Sequence, residues 1–228
     1  MHRSVQRFVL IILSSDERQS AFDEAVEMIY KELPKPSPII VPLFEQRDLF
    51  TTYIPHAISI LNAYKSSDKP LYPTIRFAEV ICSAAAYLYE HGMAKQCLEV
   101  VATGEKVCKE ISALQKSSST IQTGLSQSST IPLPTLEANI IAYGAGVLWT
   151  TGGLTNRKEA HDMTRRVLKL RENYMDSLLA ANVTSNDRVL LSNAYNDWAL
   201  QLINEGKYYE ARDFSRRLLD IKEKYLDT

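Results

Sequence analysis

The side chains that most often carry chemistry are few in this chain and set far apart. There are three cysteines, Cys82, Cys97 and Cys108, and four histidines, His2, His56, His91 and His161. Cys97 with His91 comes nearest to a thiol–imidazole couple, which would make a nucleophile if the two met in space. Packing accounts for both: Cys97 stands where two helices need a small side chain, and His91 adjoins a turn glycine. No H-E-x-x-H or C-x-x-C spacing occurs, so these residues suggest no metal site. A phosphate loop of the G-x-x-x-x-G-K-[ST] type and a G-x-S-x-G elbow are both missing. Gly144-Ala145-Gly146 lacks the third glycine and preceding strand of a dinucleotide fingerprint and reads instead as close helix packing. Arg165, Arg166, Lys169 and Arg171 could hold an anion, but Glu159, Asp162 and Glu172 are interleaved with them, the pattern of a solvated helix face. The expectation is a protein with no catalytic residue, cofactor or metal.

Composition narrows the classes further. With 26 basic and 27 acidic side chains and no basic stripe, the chain lacks the cationic surface that phosphate neutralisation requires, so no nucleic acid is expected. No apolar run approaches the ~20 residues that span a bilayer, so no membrane is expected either. Met1 to Arg7 is basic and precedes six apolar residues, Phe8 to Leu13. That stretch is short for the core of a secretion signal, and Ser14-Ser15-Asp16-Glu17-Arg18 offers no cleavage context. An odd number of unpaired-looking cysteines fits a reducing compartment. The expected location is cytoplasmic.

The elements that must position any site are helices. Only 8 glycines and 9 prolines occur among 228 residues, with abundant Ala, Leu, Glu, Lys and Arg, all good helix formers. A helix is expected to about Leu33, capped by Ser15 or Asp16, with Phe22, Ala25, Val26, Ile29 and Leu33 on one face. Pro34, Pro36, Pro38 and Pro42 interrupt it. A second helix is expected over 46–64, with Leu49, Tyr53, Ala57, Ile60 and Leu61 inward and a kink at Pro55. Three helix pairs follow, over 74–114, 136–179 and 188–226. A Ser/Thr-rich insert at 116–134 is too polar to order itself. The last two pairs repeat each other: Glu159-Ala160 and Arg165-Arg166 reappear 51 residues later as Glu210-Ala211 and Arg216-Arg217. Repetition of a helical unit signals a stacked array.

The last pair resembles a tetratricopeptide repeat most closely. Gly206-Lys207-Tyr208-Tyr209-Glu210-Ala211 is similar to that family's turn, with Ala199 and Ala211 as its small residues and Tyr195, Trp198, Leu202 and Phe214 as large fillers. The first pair matches through Gly92, Ala85, Cys97 and Gly104. The second matches through Gly152 and Ala145, but Ala160 arrives three residues late, read as an insertion in the turn. Small residues at such places let helix axes approach to the short end of the ~8–10 Å range. The resemblance implies an all-α fold of antiparallel helix pairs stacked as a right-handed α-solenoid over 71–228, with a helical lead-in over 1–70.

A longer likeness covers essentially the whole chain. His2–Gln6, Ala21-Phe22-Asp23-Glu24-Ala25 and Tyr53-Ile54-Pro55-His56, followed by such pairs, resemble the carboxy-terminal half of fungal STAND-type, NLR-like proteins. In those proteins an NB-ARC nucleotide-binding module precedes the region resembled, so the chain would be the sensor part without that module. The resemblance also implies a protein or peptide ligand on a concave face lined by the first helix of each pair. Carried over, that face comprises Glu79, Ala86, Tyr89 and Glu90, then Asn139, Tyr143, Gly146 and Trp149, then Asn193, Asn196, Leu200 and Ile203. Tyr89 and Trp149 would form aromatic walls, and Asn196 would grip a peptide backbone, since an amide donates and accepts at once. No Lys or Arg falls on these positions, which argues against a clamp for a terminal carboxylate. The alternative is a structural element whose last helix pairs with a second copy of the chain.

Overall fold

The computed structural model describes residues 13–35, 46–118 and 131–225. These form eight α-helices and one short 3-10 turn, and there is no strand among the described residues. The His2–Gln6 motif, most of the proline-rich segment and the centre of the Ser/Thr-rich insert lie outside them.

Helix α1, Ser15–Glu32, is capped by Ser14, one residue before the expected caps. The Ser14 hydroxyl accepts the Glu17 N–H and the Glu17 carboxylate accepts the Ser14 N–H, a reciprocal capping box. Helix α2, Arg47–Ser66, passes through Pro55 without ending. Its buried stripe is Phe50, Ile54, Ala57, Leu61 and Tyr64; the expected Ala57 and Leu61 lie on it, Tyr53 and Ile60 are half-buried beside it, and Leu49 is 49% exposed. Spacings of three and four from Phe50 onward account for that stripe.

Three helix hairpins follow. Helices α3, Ile75–Glu90, and α4, Ala94–Ser118, form the first; α5, Leu133–Thr151, and α6, Leu154–Ser177, the second; α7, Ser185–Asn204, and α8, Tyr208–Tyr225, the third. Gly92, Gly152 and Gly206 stand at the three turns with φ of +66°, +74° and +76°, a conformation that costs glycine least. The first and third turns share one bonding pattern. Met93 N–H reaches Leu88 O at 2.9 Å, and Lys207 N–H reaches Leu202 O at 2.9 Å, the six-to-one bond of a Schellman motif. The second turn differs: Gly152 and Gly153 both take positive φ, and α6 begins at Leu154. The three extra residues therefore do not lengthen the turn. They add a helical turn to the start of α6, leaving Leu154 88% exposed.

The apolar core runs without a break from Phe22 in α1 to Tyr195 in α7. Helix α3 is its axis, packed against α1, α2, α4 and α5, and every residue from Phe77 to Ala86 is buried. A helix covered on all sides must be apolar or small all round, which the run of alanines supplies. The small residues expected between helices are buried: Ala85, Cys97, Ala145, Ala160, Ala199 and Ala211. Cys97 Sγ lies 3.5 Å from Ala85 O, so the two small places of the first hairpin face each other. Further along, α4 packs on α5 and α6 on α7, whereas α5 and α7 make no extensive contact among the described residues.

Candidate peptide-binding face

The first hairpin contributes least to the expected face. Glu79 is 2% exposed and Ala86 is 1% exposed, so neither is available to a partner. For Glu79 the reason lies in α1, which packs on α3. Arg76 pairs with Glu27 of α1, and the charge of Lys35, just past α1, acts on Glu79. Glu90 is exposed. Tyr89 is half-buried, its ring held against α5: a Cβ added at Gly146 would lie 2.7 Å from Tyr89 Cε2. Its ring centroid stands 5.9 Å from that of Tyr143.

In the second hairpin Asn139 and Tyr143 are half-buried, and burial raises the Tyr143 hydroxyl pKa well above its ordinary value. Trp149 is half-buried too, with the Arg157 guanidinium 5.8 Å from its ring, a cation–π contact inside the same hairpin. Both expected aromatic walls are thus partly covered by neighbouring side chains. Gly144 serves packing as well: a Cβ there would meet Met163 Cε at 2.6 Å and Val101 Cγ1 at 2.9 Å.

The third hairpin is open. Along α7, Ala194, Tyr195, Ala199 and Leu202 are buried, while Asn196 is exposed and Leu200 and Ile203 are 50% and 43% exposed. Asn193 is half-buried. Asp197 also reaches water, yet the protein around it raises its carboxyl pKa above the ordinary value, opposed by Asn196 and Arg171.

Sequence reasoning missed Arg171. Of the four cations grouped as one solvated face, Arg165, Arg166 and Lys169 are exposed, and Arg166 reaches Glu105 of α4 at 2.6 Å. Arg171 instead is 8% exposed. Its Nη2 donates to Asn139 Oδ1 at 2.9 Å, and its Nε is buried without a hydrogen-bond partner. Burial pushes its pKa down to about 10, against the pull of Asp197. The signal was present in the spacing: Ala160, Met163, Thr164, Val167, Leu168 and Arg171 fall on one buried stripe of α6. Near Arg171 lies a void of about 10 Å³ bordered by Pro134, Thr135, Tyr174, Met175, Asp187 and Leu190.

The expected packing roles of the thiols hold. Cys82, Cys97 and Cys108 are buried, and burial pushes each up to about 12, far from the thiolate that nucleophilic attack requires. His91 lies on Tyr87, its Nδ1 2.9 Å from Tyr87 O and its ring stacked at 3.9 Å, so it does not serve Cys97. His161 Nε2 sits 3.0 Å from Glu205 with its ring 4.7 Å from Trp198. No cluster of three potential metal ligands occurs among the described residues, and no helix there is long and apolar enough to cross a membrane.

The chain matches no family model and no curated protein. Among solved structures it is similar to BtubC (BKLC) from P. vanneervenii at 14% identity, over 95% of this chain and 94% of that one, with a TM-score of 0.35. At that score the likeness carries no argument about function.

Proposed function

We propose that this chain is a protein-interaction module, a tetratricopeptide-like right-handed solenoid that binds an extended peptide or protein segment, from an NLR-like protein of the fungal STAND type. It performs no catalysis of its own and works in the cytoplasm. The observation that carries the reading is the exposed face of α7. Asn196, Leu200 and Ile203 share that face, beside the exposed Asp197. Amides that match a peptide group and aliphatics that gain from burial are what an extended ligand needs. The buried small residues and the matched turns support the repeat architecture. Selection of short random peptides on the immobilised chain tests this. Binders should be recovered, and Asn196→Ala with Leu200→Ala should weaken them about tenfold or more. Recovery of no binder, or binders indifferent to both changes, sinks the reading.

A second reading has its own observation. Leu168 in α6 is 5% exposed, whereas Leu219, its counterpart 51 residues later in α8, is 52% exposed. On this reading α8 pairs with a second copy of the chain. Light scattering that finds only monomer at high concentration removes it.

A further inference from the structure

The outer side of α8 repeats a side that is covered on both earlier second helices. Cys97, Ala160 and Ala211 are the small residues near the starts of α4, α6 and α8. The positions four, eight and eleven residues beyond each of them share one helix face. In α4 they hold Val101, Glu105 and Cys108; Val101 and Cys108 are buried, and Val101 lies against Gly144 of α5. In α6 they hold Thr164, Leu168 and Arg171, all buried. In α8 they hold Ser215, Leu219 and Lys222, of which Ser215 is half-buried and the other two are exposed. Helix α4 packs on α5 and α6 on α7, whereas no further helix packs on α8 among the described residues. The neighbour that α4 and α6 have and α8 lacks is the first helix of a following hairpin.

The polar contacts at these joints recur as well. Arg166 of α6 reaches back to Glu105 of α4 at 2.6 Å, and Arg217 of α8 reaches back to Glu172 of α6 at 3.7 Å. The two arginines stand 51 residues apart, and 51 residues beyond Glu172 stands Glu223, exposed on α8. Glu172 also accepts the Tyr195 hydroxyl of α7. Such half-exposed pairs set register and choice of partner more than affinity. We propose that the outer side of α8 is the docking surface for a helix hairpin of a partner protein, built as α7–α8 is. Its first helix covers Leu219 with apolar side chains and brings a tyrosine hydroxyl to Glu223, and its second brings an arginine to the same carboxylate. A second copy of α8 fits less well: an antiparallel pair centred on Leu219 sets Arg216 against the copy's Lys222, like charge against like.

The probe is this chain's own third hairpin, residues 176–225, whose inner side has the stated chemistry. Joined to the full chain after residue 226, it keeps the 51-residue register. Hydrogen exchange of the α8 amides should then slow about tenfold or more relative to the unmodified chain, and Leu219→Asp in α8 should abolish the gain. Held instead on a carrier protein, the probe should bind the unmodified full chain. Leu219→Asp or Glu223→Arg in that chain should weaken binding about tenfold or more, and Arg217→Glu in the probe should restore it to Glu223→Arg. Both substituted positions are exposed, so the full chain should melt where the unmodified one does. Where Leu219→Asp does not fold, the charge exchange between Glu223 and Arg217 decides. Unchanged exchange in the joined protein, or slowing indifferent to both substitutions, overturns the proposal. Slowing in the joined protein without binding of the carried probe overturns a partner protein in favour of a hairpin on the same chain. Dimers of the unmodified chain that Leu219→Asp dissociates overturn it in favour of a second copy.

Discussion

The two joints between hairpins are built by opposite means. Where the first hairpin meets α5, contact is by shape, with the Arg166–Glu105 ion pair of α6 and α4 outside it. A Cβ at Gly104 of α4 would lie 2.8 Å from methyls of both Ile81 and Ile140, and Tyr89 of α3 lies against Gly146 of α5. Where α6 meets the third hairpin, contact is polar and aromatic. Tyr195 donates to Glu172 at 3.3 Å, Arg217 stands 3.7 Å from the same carboxylate, and His161 lies between Trp198 and Glu205. Glycine notches filled by isoleucine admit one arrangement, because interiors are close-packed. Half-exposed ion pairs contribute little stability and leave open polar groups beside them. The difference separates a joint fixed by shape from one that leaves polar groups open to water.

Five substitutions break or sharpen this contrast. Ile140→Ala removes a side chain that is 0% exposed at the tight joint and should cost about 2–5 kcal/mol in urea unfolding; a loss under about 1 kcal/mol would mean the joint is not close-packed. Gly104→Val overfills the same place and should cost about 1–3 kcal/mol. Combined with Ile140→Ala, it should cost less than the sum of the two, since each relieves the other. Additive losses would deny that these residues touch.

At the polar joint the expected effects are smaller. The folded-state pKa of Asp197 is raised, so the folded protein binds more proton than the unfolded chain between the two pKa values. Ionisation above that window therefore destabilises the fold. Asp197→Asn should gain at most about 0.5 kcal/mol at neutral pH, discounted for exposure, and the gain should vanish as pH falls through the folded pKa. Urea midpoints of both proteins across mild acid check this, and a gain that grows on acidification would reverse the sign. Asn196→Ala with Leu200→Ala should leave stability unchanged within about 0.5 kcal/mol. A larger loss would place these residues in the fold rather than on an offered face.

Much of the local structure was legible in the residues. Gly92, Gly152 and Gly206 mark the turns because a reversal at positive φ favours glycine, and Ala85, Ala145 and Ala199 mark close approach because nothing larger fits. The candidate face was legible only where no neighbouring element covers that side of the helix. Asn196, Leu200 and Ile203 remain open on α7, but the same reasoning placed Glu79 on that face, where α1 covers it, and read Tyr89 as a wall. Leu49 for Phe50 is a smaller error of the same kind, since two apolar residues in a row leave the register undecided.

What the sequence determined by itself is the set of helices, their turns and the notches between them. These depend on backbone preference and on a spacing of three to four residues, both fixed within a few positions of the chain. The tertiary structure alone decided which faces are covered, that the insertion before Ala160 becomes a helical turn of α6, and that Arg171 parts company with Arg165, Arg166 and Lys169. Burial is set by what other segments bring alongside, and an arginine's long apolar stem fits a buried stripe as well as a solvated one until a neighbouring helix closes over it.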